Sequence, residues 1–141
     1  MGFSFYVGLH QPGDSRHFGR ACISINRLRG RRKPLACPDV LVDSGAFTEL
    51  LHHGKYRHSV AEYAAEVRRL HAQSVVNITA AVAQDYMCEP FMLAKTGLTL
   101  EDHQRLTIER YDALVAECPP VPIMPVLQGS APGSYADHVS A

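Results

Sequence analysis

A chain of 141 residues is long enough for one domain with a sizeable core and too short for two ordinary ones. Apolar residues make up 46% and charged residues 20%, which excludes a disordered chain, and no apolar run approaches the roughly 18 residues a membrane-spanning helix needs. Fourteen basic and fourteen acidic side chains cancel, so no global field draws the chain to nucleic acid, and any such contact needs a local patch. Cys22, Cys37, Cys88 and Cys118 lie 15, 51 and 30 positions apart with no CxxC pair. That spacing argues against a zinc knuckle within the chain and fits reduced thiols in a cytoplasmic protein.

Phe3 to Leu9 is aromatic and β-rich and reads as a first strand, ended by the turn His10-Gln11-Pro12-Gly13. Asp14 or Ser15 is placed to cap a helix with Phe18, Ala21, Cys22, Ile25 and Leu28 on one face, although Ile23 and Ile25 also suit a strand. Gly30 and Pro34 close that segment. In Asp39 to Phe47 the aliphatic run Val40-Leu41-Val42, without alternation, predicts a second strand buried on both faces. Asp43 ends it, and Ser44-Gly45 turns the chain away. Ser59 and Glu62 form a capping box for a helix burying Val60, Tyr63, Ala64, Val67, Leu70 and His71. Ile78 to Gln84 is a third buried strand, again with an acid, Asp85, at its end. Thr99 caps a helix whose apolar face is Leu106, Ile108, Tyr111, Leu114 and Val115. Pro122 to Leu127 makes a fourth strand running into Gln128-Gly129, and a fourth helix begins near Ser134.

Strands alternating with helices imply a parallel sheet with right-handed crossovers. Four βα units are half of a TIM-type (βα)8 barrel. The expectation is therefore an α/β chain in which residues 1–141 form a single partial domain. It would be the amino-terminal half of such a barrel, truncated inside the fourth helix. A small open doubly wound sheet is the alternative, without its usual GxGxxG phosphate loop. Pro122 and Pro125 suit a curved barrel strand better than the middle of a flat sheet.

In a parallel sheet the carboxyl ends of all strands share one edge, where ligands bind. Those ends carry His10 and Gln11, then Asp43 and Ser44, then Gln84 and Asp85, then Gln128 and Gly129. Two carboxylates accept from amino and ring N–H groups, while a glutamine amide and backbone N–H groups donate to a carbonyl. That set matches the edge of a guanine-like base. Taken singly, each feature has a plainer reading: an Asp at a strand end caps a turn, and Gln-Gly is a turn. Their joint placement makes the site. His10 is a candidate for a ligand or phosphate contact. His52, His53 and His58 read as a solvated loop, no HxxxH or HExxH spacing marks a metal, and Cys88 reads as core or rim. Arg27, Arg29, Arg31, Arg32 and Lys33 form the one basic cluster, in the link entering Val40–Asp43. Its default reading is a solvated helix end at the amino-terminal face, with at most a secondary contact to a nucleic-acid backbone.

The stretch Val42-Asp43-Ser44-Gly45-Ala46-Phe47 resembles the DSGGF strand end of tRNA-guanine transglycosylases, with Gln84-Asp85 and Val126-Leu127-Gln128-Gly129 similar to two further motifs. From Phe5 to Tyr135 the chain resembles more closely their DNA-modifying relatives, the deazapurine-in-DNA protein A group. The similar landmarks are YVGLHQP, LVDSGAFTEL, AVAQDYMCEP, TGLTLEDHQRLTIERYD and PVLQG. The resemblance implies a barrel enzyme that exchanges guanine in DNA for a 7-deazaguanine base by covalent catalysis. By position it implies that Asp43 assists proton transfer and holds the base together with Ser44 and Gly45. Asp85 would read the base's hydrogen-bonding edge, and Gln128 with Gly129 would bind its carbonyl. Ala46, Thr48 and Ser130 depart from the tRNA enzymes and fit the DNA-directed branch. The family's nucleophilic aspartate and zinc-binding cysteines belong to a second half, so no metal or other cofactor is expected within this chain and the chain alone is expected to be inactive. The alternatives are the same exchange on tRNA, or a non-catalytic base-binding remnant that associates with a second half. A helper protein that opens DNA is a further possible partner.

Overall fold

Five short apolar segments pair side by side because each carries β-branched or small residues at alternate positions that bury against helices. The computed structural model describes residues 2–141. Its strands are β1 (Val7–Leu9), β2 (Ala21–Ser24), β3 (Val40–Asp43), β4 (Ile78–Val82) and β5 (Ile123–Met124). All are parallel, in the order β1-β2-β3-β4-β5, so the sheet grows in chain order without reversing. A 3-10 helix spans Pro12–His17, and the α-helices are α1 (Ile25–Leu28), α2 (Ala46–His53), α3 (Val60–Ala72), α4 (Pro90–Thr96), α5 (Leu100–Ala116) and α6 (Pro132–Ser140). No described helix is long and apolar enough to cross a membrane.

The segment expected as a helix through Phe18, Ala21 and Ile25 is instead the strand β2, and Val40–Asp43 is therefore the third strand. Its burial has period two: Ala21 and Ile23 are fully buried while Cys22 and Ser24 are half-buried. Pro12 holds the preceding residues in a single 3-10 helix, and Ser24 accepts from the Asn26 N–H to start the one-turn α1. Two helices outside the expected elements, α2 and α4, lie after β3 and β4. β5 is shorter than the expected Pro122–Leu127 run, since Pro122 and Pro125 flank it and lack ladder donors. It takes part by accepting: the Ala81 and Ala83 N–H groups donate to the carbonyls of Pro122 and Met124, each at 3.0 Å. β5 is an edge of this sheet, where proline is tolerated.

One face of the sheet holds the core. Ala21, Ile23, Val40, Val42, Ala81 and Ala83 pack against Tyr63, Val67 and Leu70 of α3 and Leu114 of α5. On β3 the other face is not buried as expected, because Leu41 and Asp43 are only half-buried. His71, expected within the helix's buried stripe, is exposed. On α5 the buried positions at the start of the helix are polar, His103 and Thr107, while Val115 is 46% exposed. The expected capping box of Ser59 with Glu62 forms, and the expected Thr99 cap is extended to a second box with Asp102. The Ser59 side chain accepts from the Glu62 N–H at 3.1 Å and Glu62 accepts from the Ser59 N–H at 2.7 Å. Ser59→Ala removes one of these and leaves an N–H of the first turn unpartnered. A loss of about 1 kcal/mol is expected in urea denaturation, with the m-value unchanged.

Candidate active site at the carboxyl edge of the sheet

Parallel strands deliver Asp43, Asp85 and Gln128 to one edge, and three hydrogen bonds then draw their loops together. Asp43 ends β3 in register with Ser24, and its Oδ2 accepts from the Gly45 N–H at 2.9 Å, which forms a tight turn. Its other oxygen has no protein partner among the described residues. Ser44, buried beside it, donates to Asp85 Oδ1 at 3.3 Å. The Gln128 amide donates to Asp85 Oδ2 at 2.6 Å. Tyr56 reaches in from the loop after α2 and donates to the Asp85 carbonyl at 2.7 Å. Ser44 Oγ and the Tyr56 hydroxyl also lie 3.3 Å apart. Each hydroxyl has one proton, already directed at Asp85, so this last approach is packing.

The turn that carries Ser44 requires glycine. Gly45 has φ +76°, and a Cβ there would lie 2.5 Å from Asn26 Nδ2. Asn26 stands one turn beyond β2, so the β2 and β3 ends are fitted against each other at this point. Beneath the turn, Glu49 of α2 is 2% exposed and is gripped by Arg57 Nε at 2.8 Å and Nη2 at 3.2 Å. His53 and His58 approach the same carboxylate at 4.0 and 3.9 Å, so neither is a merely solvated loop residue. This pair of a buried carboxylate and a half-exposed guanidinium ties the 54–58 loop, which carries Tyr56, to α2.

The loop after β4 is held from α5. Thr107 accepts from the Tyr86 N–H at 2.9 Å. His103 Nδ1 lies 2.7 Å from the Met87 carbonyl and its Nε2 lies 2.6 Å from Thr96 Oγ1. A carbonyl only accepts, so Nδ1 is the donor to Met87. These demands explain the polar start of α5. Gln104 donates to the carbonyls of Gln128 at 2.8 Å and Ser134 at 2.7 Å, and the Gln128 N–H donates to His138 Nδ1 at 2.8 Å. The Gln128 loop is thus clamped to both α5 and α6.

Of the residues expected to contact a base, Asp43, Ser44, Gly45, Asp85 and Gln128 come together. Gly129 serves the close approach of α6, since a Cβ on it would lie 2.8 Å from Ser134 Oγ and 2.9 Å from the Tyr135 ring. Gln84 faces away from the edge: it accepts from Arg110, and its amide donates to the His58 carbonyl at 3.3 Å. His10 does not join the cluster and contacts Arg27. Tyr56 and Arg110 are the residues the sequence does not announce. The Arg110 guanidinium sits 4.9 Å from the Tyr56 ring centre and 5.7 Å from that of Tyr86, clamping the tyrosine that supports Asp85. Phe47 and Phe91, each about half exposed, stand edge to face at 6.4 Å at the starts of α2 and α4. Among the described residues no three His, Cys, Asp or Glu side chains converge as a metal site.

Burial is the main force on Asp85. It pushes the carboxyl up from 3.8 to about 6, with the negative charge of Asp43 adding to the effect and the bonds from Gln128 and Ser44 opposing it. Burial likewise drives the Tyr56 phenol well above its ordinary range, so it remains a donor. The site therefore pairs an accessible carboxyl, Asp43, with a buried one whose proton is labile just below neutrality.

Fold and geometry together define an α/β protein with an all-parallel sheet and a cluster of two carboxylates and an amide at the strands' carboxyl edge. Over residues 1–140 the chain matches the family described as DpdA, DeoxyPurine in DNA protein A, and it belongs to that family. Comparisons with curated proteins and with solved structures returned no match.

The Asp85 shift has a defined stability signature. Below about pH 3.8 both folded and unfolded states hold this proton, and the shift has no effect. Between about 3.8 and 6 the native state holds more protons than the unfolded chain, so stability falls as pH rises. Above that window the cost is constant, on the order of 3 kcal/mol. The stability of Asp85→Asn relative to the unsubstituted chain should therefore rise through this window and level off near neutrality. Urea denaturation at a series of pH values reads this directly, and a pH-independent difference would take Asp85 out of the titration.

Proposed function

We propose that this chain is the base-recognition part of a DNA guanine transglycosylase, exchanging guanine in DNA for a 7-deazaguanine derivative. The observation that carries the reading is the convergence of Asp43, Ser44, Asp85 and Gln128 on one edge in a chain of the DpdA family. The family supports a role in DNA 7-deazaguanine modification, which makes DNA the substrate in preference to tRNA. The sheet order β1 to β5, with one face packed and the other part-open, fits the opening strands of a TIM-type barrel, whose sites lie at this edge.

Exchange takes two displacements at the sugar's anomeric carbon. A carboxylate oxygen bonds to that carbon as the bond to guanine N9 breaks, and the departing electron pair is taken up by the base. The incoming deazaguanine then gives up its N9 proton and displaces the carboxylate. The attacking aspartate belongs, by the family resemblance, to a part of the enzyme outside these residues. Asp43, with one oxygen free, holds the base and assists proton transfer. Asp85, ionised above about pH 6, accepts from the ring and amino N–H groups of the base. Gln128 turns its amide donor to the base carbonyl. Phe47 offers an aromatic face on which a base can stack. Since a site built to hydrogen-bond its ligand leaves buried polar groups unpaired with the wrong one, adenine is strongly rejected.

In an enzyme assembled with the second half, labelled 7-cyano-7-deazaguanine should enter guanine-containing DNA and not tRNA. Asp43→Asn should lower that incorporation at least about 100-fold while leaving the far-ultraviolet circular dichroism unchanged. Incorporation into tRNA alone would overturn the DNA reading, and an Asp43→Asn enzyme of full activity would remove Asp43 from the mechanism.

A further inference from the structure

The basic cluster does not lie wholly at the amino-terminal face, as its position in the sequence implies. Because Ala21–Ser24 is a strand, Arg27 in the single-turn α1 follows directly on the carboxyl end of β2. Asn26, its neighbour, packs against Gly45 of the Asp43 turn. His10 follows β1, the adjacent strand, and Arg27 Nη2 contacts both of its ring nitrogens, 3.0 Å from Nδ1. Both side chains are exposed. Among the described residues neither has a carboxylate within ion-pair distance.

The rest of the cluster is placed differently. Arg29 is half-buried, and burial lowers its pKa against the opposing fields of Glu66, Glu49 and Glu62. Arg31 donates to the Lys33 carbonyl at 2.8 Å, while its own carbonyl accepts from Arg69 at 2.9 Å. Arg32 lines a concavity of about 400 Å³ with Gly30, Arg69 and Gln73. Past Pro34 the chain reaches Leu35, whose N–H donates to the Val75 carbonyl ahead of β4, at the opposite edge. Arg27, with His10 beside it, presents exposed donors without a carboxylate partner at the edge that carries Asp43 and Asp85.

We propose that Arg27 and His10 form a phosphate-binding pair that holds the DNA strand whose base enters the Asp43–Asp85–Gln128 site. This rests on the function proposed above. His10 follows β1, two strand spacings or about 10 Å from β3, and Arg27 follows β2, the strand next to β3, so the pair stands beside the base site. A nucleotide with its base at the carboxylates directs its backbone outward along this edge. Without a nearby cation, its phosphates would meet the field of Asp43 and Asp85 unopposed. An arginine fork is suited to a phosphate, and the pair would fix strand position without reading sequence.

The test is fluorescence anisotropy of a labelled single-stranded deoxyoligonucleotide, one guanine in a thymine background, titrated with the full chain at several salt concentrations. Arg27→Ala and Arg27→Gln should each weaken binding and flatten the slope of log K against log salt by about 0.7, the loss of one phosphate contact on a single strand. His10→Ala should weaken binding, and Arg32→Ala should leave the slope unchanged. An unchanged slope for the Arg27 variants overturns the pair, as does an equal flattening by Arg32→Ala or tighter binding of the RNA strand of the same sequence. Calorimetric titration with free guanine separates the two readings. Guanine bound but the Arg27 slope unchanged sinks the phosphate pair alone; a flattened slope with no guanine bound supports the pair and sinks the base site.

Discussion

The buried carboxylate of Asp85 is the point on which the carboxyl edge depends. Its two side-chain oxygens and its carbonyl accept from Ser44, Gln128 and Tyr56, which arrive from the ends of β3 and β5 and from the loop after α2. A charged group removed from water has to be compensated by hydrogen bonds or by a proton. Both occur here, since three donors surround the residue while its carboxyl is raised to about 6. The same compensation that makes burial tolerable ties three separate loops into one site.

Around that carboxylate the supports are graded by rigidity. The Glu49–Arg57 pair and the Arg110 guanidinium hold Tyr56 from two sides. His103 and Thr107 satisfy the backbone of the 85–88 loop, and Gln104 and His138 do the same for Gln128. Polar groups on α5 thus stand where an amphipathic helix would carry leucines, and most of their partners are main-chain atoms of the loops that bear the site. A recognition site on loops needs such anchoring, because loop backbone otherwise has only water to bond. Asp43 is the exception. It is half-buried, with one oxygen engaged in its own turn and the other without a protein partner among the described residues.

The site was more legible than the strand count. Asp43, Asp85 and Gln128 stand directly after apolar runs, and the parallel-sheet rule alone brings such residues to one edge. The β2 segment was ambiguous because Ala21, Cys22, Ile23 and Ile25 satisfy a two-residue and a helical period at once. What decides between them is the open ladder position beside Val40–Asp43, a long-range fact. That one difference moves Arg27 from the far face to the working edge. Tyr56 and Arg110 were illegible for the same reason: Tyr56 sits among charged and histidine residues in a short loop, which the Glu49–Arg57 pair ties to α2. His10, grouped with the site by strand position, is turned to Arg27 instead.

By itself the sequence determined the general alternation of strand and helix, the Ser59 capping box, the Thr99 cap, the glycine turn after Asp43 and the polar side chains at the strand ends. These are local matters of period, capping and φ, written within a few residues of where they act. Tertiary structure alone decided that Ala21–Ser24 is a strand, that one sheet face is packed while the other is part-open, and that Asp85 is buried deeply enough to raise its carboxyl to about 6. Each of those depends on which distant segments lie alongside, and burial, register and the field of a neighbouring carboxylate are properties of that arrangement.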